Sequence, residues 1–502
     1  MKKISHWMGL PLCLLTLLAL MITASAAEPE EGSCMGEVAF FQYEAVCIGE
    51  ESGGEVLLLT AEDLAGAENA LRRGVLEMEA SIDLSQYAVS VDHGQALLDQ
   101  LKRNYPELFT LDGYGYSYDP RTNTIATVFP KYNMTAEEYE RAKAFYDSEL
   151  ARIAGLVNTD WSDLEKVLFV HDYLAANYEY DTSYSRYDAY HFFHDKTGVC
   201  QAYTMAFMAV MQKLEIEVSY VQSSNLNHIW NIVKLDGSWY HVDVTYDDPL
   251  TDHLGCAQHT YFLRSDSGLT NHDVEDKERD WVYGVETAVN STIYDGYFWK
   301  NVLSPFTRVG ESWYFIESDF IGTNTVTASR LMCWDGENGA ENKTVLSGIL
   351  SVGSGLGYFA GKLYFNTVSG LYSYDLYTRE TAALLTSSSI NGCRVEDDAE
   401  GKVLKYQNGT AIEVYQIDPY TNVSDIYGYY RDVDGLFIRL QNSGGVIVAG
   451  FDQNGRMEQV EIFTAAGEYT VSRDAEIAEL RVIAVSNAEA WLPLCEMHSF
   501  AL

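Results

Sequence analysis

The dipeptide Asp236-Gly237 lies between two apolar runs, Asn227 to Leu235 and Ser238 to Thr245. In that setting Asp-Gly is a strong signal for a two-residue hairpin, because a type I′ turn needs positive φ at both central positions. With this turn in place, the pairing follows by counting. Leu235 faces Ser238, and Trp230 faces Asp243. His228 is two residues from Trp230, so it shares a face with Asp243 and is its diagonal neighbour. A one-residue bulge would reverse this parity, so the pairing depends on the turn.

Upstream, Gly198-Val199-Cys200-Gln201-Ala202-Tyr203 opens a run with apolar residues at Ala202, Met205, Ala206, Ala209, Val210 and Leu214. That spacing predicts a helix with one buried face. Gly198 breaks the chain before it, which puts Cys200 at or near the helix N-terminus. Free N–H groups and the positive end of the dipole lower a thiol pKa at such a position. Cys200, His228 and Asp243, in that order on helix, strand and strand, are the material of a nucleophile, its base and a carboxylate that orients the base.

These motifs are G-x-C at a helix start, H-x-W-N on one strand and W-Y-x-x-D-x-T-x-D-D-P on the next. The region from Trp161 to Asp273 resembles the transglutaminase-like superfamily of papain-like thiol enzymes. The resemblance implies Cys200 as nucleophile, His228 as general base and acid, and Asp243 as the orienting carboxylate. It also implies an α+β papain-like core. Two positions depart from the usual pattern: Asn227 stands where the family has Gly, and Tyr246 where it has Trp. Both lie outside the triad and bear on substrate fit.

The N-terminus carries Lys2 and Lys3, an apolar run from Met8 to Ile22 and the small-residue site Ala24-Ser25-Ala26, the pattern of a secretory signal. No other segment approaches the ~18 apolar residues of a membrane span. The formal charge of −40 disfavours nucleic acid and anionic membranes as partners. A protein or peptide substrate is expected, with an extracellular or cell-surface ligand as the role open to the β-rich tail. After removal of Cys13 with the signal, Cys34, Cys47, Cys200, Cys256, Cys333, Cys393 and Cys495 remain. An odd number in an exported chain flags a free thiol, with Cys200 the first candidate. Cys34 and Cys47 are a candidate pair. No C-x-x-C pair and no EF-hand pattern occurs, so no metal or cofactor is expected.

Five segments are expected: a signal peptide at 1–26, an N-terminal α+β unit at 27–158, the thiol domain at 159–285, a β-repeat region at 290–420 and a C-terminal β-sandwich at 425–502. The fold class is multidomain, with an α+β core between an α+β unit and all-β modules. Thr135 and Glu138 predict a capping box for a helix over Met134 to Val157. Asp160 to Asn177 reads as a helix with Leu164, Val167, Leu168, Val170 and Leu174 inward. His171-Asp172 on that helix reads as a packing motif. The aromatic stretch Tyr178 to Phe193 suits a substrate groove and a packed loop equally. Tyr190, His191 and Gln201 are the candidate second oxyanion donors, with no choice among them. His272 reads as structural.

In the tail, hairpin-like units around Trp313 to Asp335, Lys362 to Asp375 and Val403 to Tyr415 recur about every 45 residues, which is propeller-blade spacing. Three are too few to close a propeller, so an incomplete array is expected. The expected function is a secreted cysteine-dependent acyl hydrolase, a protease or amidase. Amine transfer or a catalytically inactive surface binding protein are the alternatives. N-terminal sequencing of the exported protein is expected to show cleavage at or close to Ala26. A secreted chain still beginning at Met1 would exclude the signal reading.

Overall fold

The computed structural model describes residues 43–47, 61–248, 253–321, 325–336, 341–398, 401–423, 427–441, 445–472, 476–485 and 497–501. They fall into two units. The first holds the described chain through Pro305, with Asp319–Thr325 and without His253–Gly255, and the second holds the rest. The signal region and Cys34, one half of the candidate Cys34–Cys47 pair, lie outside the described residues.

The first unit begins with β1 (Tyr43–Cys47), α1 (Ala61–Leu76), β2 (Ile82–Asp83), α2 (Val91–Asn104), β3 (Leu111–Asp119) and β4 (Thr124–Tyr132), the strands ordered β1-β3-β4-β2. Leu71, Leu98 and Leu101 from the helices meet Tyr114, Tyr116, Ile125 and Val128 from the strands in one core. Helix α3 (Ala136–Ala154) starts with the expected capping box. The Thr135 hydroxyl accepts from the Glu138 N–H, and the Glu138 carboxylate accepts from the Thr135 N–H at 2.8 Å. Reciprocal caps of this kind satisfy two orphan donors and contribute about 1 kcal/mol.

The first unit continues with α4 (Asp163–Asn177), β5 (Glu179–Tyr180), α5 (Ala189–Asp195), β6 (Thr197–Gly198), α6 (Cys200–Lys213), β7 (Val218–Ser223), β8 (His228–Leu235), β9 (Ser238–Val242), α7 (Val244–Asp247), β10 (Phe262–Arg264) and β11 (Val282–Tyr283). The main sheet is ordered β10-β9-β8-β7-β11. All five inward residues expected on α4 are buried. Helix α6 differs from its expectation. Every residue from Cys200 to Met211 is buried, not one face alone. The far face carries Tyr203, Phe207 and Met208, and α4, α5 and the sheet enclose the helix from several sides. A helix apolar all round belongs in a core.

His171 and Asp172 are buried as expected, but by polar contacts more than by packing. His171 Nδ1 lies 2.8 Å from Asp172 Oδ1, and His171 Nε2 lies 3.1 Å from Asp247 Oδ2. His259 Nε2 reaches the same Asp172 oxygen at 2.7 Å, and its Nδ1 donates to the Val302 carbonyl. This network ties α4 to α7 and to the residues before β10. Burial pushes the His171 imidazole down, yet hydrogen bonds and charge from Asp172 and Asp247 outweigh it and bring it up to about 9. Asp172, between two histidines, is held below the carboxylate range despite burial, while burial wins at Asp247 and pushes it up.

The second unit is all β. Its first sheet comprises Thr307–Val309, Ser312–Ile321, Thr325–Trp334 and Lys343–Ile349. The next comprises Leu356–Phe359, Lys362–Thr367, Gly370–Asp375 and Thr381–Thr386, and the third Ile390–Asp398, Gly401–Asn408 and Ala411–Gln416. The three expected hairpins are all present in these sheets. The described residues within 421–501 then form two four-stranded sheets. Leu436 and Ile438 of one sheet and Val446, Val448, Leu480 and Val482 of the other share a core, which is sandwich packing. No helix among the described residues is long and apolar enough to cross a membrane. Cys200, Cys333 and Cys393 are free thiols, a wider set than the single one that the odd count suggested.

A raised imidazole pKa stabilises the fold fully below the unfolded value of 6.5 and loses that contribution as pH climbs through about 9. Urea unfolding is therefore expected to show stability falling between pH 6.5 and 9.5 by up to roughly 3 kcal/mol. His171→Asn should lower stability overall and flatten that slope. An unchanged slope in the variant would assign the pH dependence elsewhere.

Candidate functional site

Asp236 and Gly237 have φ of 49° and 80°, the positive pair of a type I′ turn. The strands pair Leu235 with Ser238, then in step to Asn231 with Val242. This is the register expected from the turn, as far as the pairing extends. There β9 ends, and Asp243 caps α7: its Oδ1 accepts from the Tyr246 N–H at 3.1 Å. Its Oδ2 lies 2.6 Å from His228 Nε2. A carboxylate oxygen only accepts, so Nε2 carries the hydrogen and the exchangeable lone pair of a neutral ring is on Nδ1. Burial pushes the Asp243 carboxyl up, but the charge of His228 and the hydrogen bonds from His228 and His272 hold it well below the usual range.

Cys200 is the first residue of α6, and the cap residue Val199 contributes no side-chain hydrogen bond. The first N–H groups of the helix therefore have no cap from that side chain. The entry to the helix is fixed from outside: Val199 N–H donates to the Arg186 carbonyl and Asp181 N–H to the Gly198 carbonyl. Asp181 itself gathers Ser183, Ser185 and Arg186 N–H groups. Gly198 is required by space and not by φ. A Cβ there would stand 2.5 Å from Ala202 Cβ and 2.8 Å from Phe192 Cδ2.

One hydroxyl links helix and strand. Thr204 Oγ1 is 2.9 Å from the Cys200 carbonyl oxygen and 3.0 Å from that of Ile229, the residue after His228. Asn231 Nδ2 adds a donor to the Thr204 carbonyl at 3.2 Å. The backbone at the start of α6 and at the start of β8 is thus joined through Thr204. Cys200 is 2% exposed, His228 0% and Asp243 1%, so charges here act in a medium of low dielectric.

Aromatic rings fix the imidazole. His228 stacks on Tyr246 at 4.4 Å and on Trp230 at 5.5 Å, both at 18°. Trp230 Nε1 donates to His241 Nδ1 at 2.9 Å, and His241 Nε2 donates to Asp266, which also accepts from Tyr283. Burial lowers the His241 pKa, consistent with one donating and one accepting nitrogen. Tyr246, at the position where the resembling family has Trp, thus still covers the imidazole.

The stretch Tyr178 to Phe193 is largely packing. Tyr178 stacks on Phe192 at 4.3 Å and 11°, and both are buried. Tyr190 stacks on Phe109 at 5.0 Å. His191 is taken by Asp188, through Nδ1 at 2.8 Å. Gln201 is buried beside Cys200, and its Oε1 has no hydrogen-bond partner among the described residues. His272, read as structural, comes to the site: its Nε2 lies 2.7 Å from Asp243 Oδ2. Two groups, His228-Asp243-His272 and His171-Asp172-His259, bring potential ligand atoms within 4.8 Å of one another. Hydrogen bonds among their members account for both.

Residues 151–244 match the family described as the transglutaminase-like superfamily. Comparison with curated proteins gives no match. Among solved structures, a candidate cysteine protease from Cytophaga hutchinsonii is 18% identical over 24% of this chain and 51% of its own, with a TM-score of 0.18. PorZ, a surface component of the type-IX secretion system of Porphyromonas gingivalis, is 15% identical over 38% of this chain and 28% of its own, with a TM-score of 0.16. This chain thus spans about half the length of the first and less of the second, and likeness at that level carries no functional weight.

Gly198→Val should overpack the turn before Cys200. The expected loss is about 1–3 kcal/mol of stability, measured as a lower urea midpoint. Wild-type stability in this variant would show that the contact with Ala202 and Phe192 yields freely.

Proposed function

We propose that this protein is a cysteine-dependent acyl hydrolase, a protease or amidase, in which Cys200 is the nucleophile, His228 the general base and acid, and Asp243 the orienting carboxylate. The observation that carries this reading is the His228–Asp243 pair at 2.6 Å, tied through Thr204 to the helix turn that begins at Cys200. The match of residues 151–244 to a superfamily of cysteine-dependent enzymes supports it. Export and action on extracellular protein belong to the same reading and rest on the N-terminal residue pattern.

The chemistry follows from the atoms. Asp243 engages Nε2 of His228, so the proton shared with sulfur moves on Nδ1. The Cys200 thiolate adds to the carbonyl carbon, and the oxyanion forms near the N–H groups of the first turn of α6. The His228 imidazolium gives its proton to the leaving nitrogen, and the C–N bond breaks to leave a thioester. Water then adds, His228 takes its proton, and the acid departs as the thiolate returns. Hydrolysis needs no part beyond these. Transfer to an amine needs a second, shielded site for that amine. The β-rich modules have the role of binding or spacing in this reading, with the three meander sheets an open, propeller-like array.

The test supplies labelled casein with a dansylated primary amine. Cleavage or deamidation without amine incorporation is expected, and incorporation with little free acid would favour transfer. Cys200→Ala should abolish the activity, His228→Ala should be nearly as severe, and Asp243→Asn should lose about 10⁴-fold. Circular dichroism must show each variant folded. Full activity in folded Cys200→Ser or His228→Ala would refute the assignment.

A further inference from the structure

Asp243 Oδ2 accepts from two imidazoles, His228 Nε2 at 2.6 Å and His272 Nε2 at 2.7 Å. His272 follows Thr270 and Asn271 in a one-turn segment beyond β10, and it is 1% exposed. Its ring is enclosed by Trp230 and Tyr246, both at 4.8 Å, Tyr261 at 5.2 Å and Trp281 at 6.4 Å. The neighbouring Asp273 is paired with Arg279 and does not compete.

The proton inventory fixes the state of this ring. Nε2 faces a carboxylate oxygen, which only accepts, so Nε2 carries a hydrogen. Nδ1 is buried and has no hydrogen-bond partner among the described residues. A hydrogen on Nδ1 would be a buried donor with nothing to donate to, which is costly. His272 is therefore the neutral Nε2–H tautomer, a donor that carries no charge. The electrostatic setting agrees. Burial pushes the imidazole down to about 4, against the hydrogen bond and charge of Asp243, while His228 and His241 push it further down.

We propose that His272 is a positioning residue for the Cys200–His228–Asp243 set: its neutral N–H holds the Asp243 carboxylate in one rotamer and takes up part of its charge. This rests on the triad reading given above. With the Tyr246 N–H on Oδ1, the carboxylate receives three donors and has no freedom to swing away from His228. Sharing Oδ2 also moderates the pull of Asp243 on the His228 proton, and the positive end of the His272 N–H dipole disfavours an imidazolium at His228. Both effects keep His228 able to exchange its proton with the thiol, where an undivided carboxylate would lock it as imidazolium.

The experiment measures carbamidomethylation of Cys200 in the full chain as a function of pH, by peptide mass spectrometry, for wild type, His272→Phe, His272→Gln and His228→Ala. His272→Phe removes the donor, so the midpoint of the rate profile is expected to move down by about half a unit or more, as the imidazolium–thiolate pair is favoured. His272→Gln keeps an N–H that reaches the same oxygen and should return the profile toward wild type. If His228→Ala reacts as wild type does, the triad reading itself falls. If His228→Ala changes the profile and folded His272→Phe superimposes on wild type, only the role of His272 falls, even if its unfolding midpoint drops. Nitrogen-15 histidine NMR of the wild-type protein tests the tautomer without relying on any destabilised variant, with His272→Gln identifying the signal. The neutral Nε2–H form is expected from pH 8 down to pH 5, and a charged or Nδ1–H ring at pH 6 would overturn the proposal.

Discussion

The Asp243 carboxylate is the point on which the site depends. It ends one strand of a hairpin, caps a short helix and receives two imidazoles on one oxygen. A side chain can hold all three roles only if the hairpin register is right. A slip of one residue would turn His228 to the opposite face from Asp243 and take its hydrogen bond from a buried carboxylate. The type I′ turn at Asp236-Gly237 is therefore more than a connection. It sets the parity that makes the charge tolerable inside the fold.

The same short helix joins this cluster to the second one. The Asp247 N–H donates to the Asp243 carbonyl, while the Asp247 carboxylate faces His171 and accepts from the Tyr261 N–H. Two buried polar networks thus meet across one turn of backbone. Each would be destabilising if a partner were missing, so together they specify a single arrangement of α4, α7 and the strands around them. Helix α6, buried along its first twelve residues, carries Cys200 at its start.

Much of this was legible in the sequence because it is local. Asp236-Gly237 determined the hairpin, Thr135 and Glu138 the cap of α3, and the apolar spacing the inward face of α4. The three tail hairpins followed from alternation and turn residues. What escaped was contact between distant, irregular segments. His272 lies 29 residues from Asp243 on a loop where periodicity has no meaning, and His259 lies 87 residues from Asp172. The all-round burial of α6 depends on neighbours that its own pattern does not name. Gly198 was read as a break in the chain, whereas its backbone shows that the constraint is the approach of Ala202 and Phe192. Whether the meander sheets act as a propeller-like array is likewise not a matter of hairpin pattern, since each hairpin would form in any antiparallel sheet.

The protein carries its own controls for the central claim, that Cys200 is an activated nucleophile and not a small core residue. Cys333 and Cys393 are also free, and burial pushes the Cys393 thiol well up. A substoichiometric dose of iodoacetamide at neutral pH, followed by peptide mapping, sets these thiols in competition within one molecule. The account predicts that label accumulates first and mainly on Cys200, although Cys333 is the more exposed. Label on Cys333 with Cys200 untouched would contradict it.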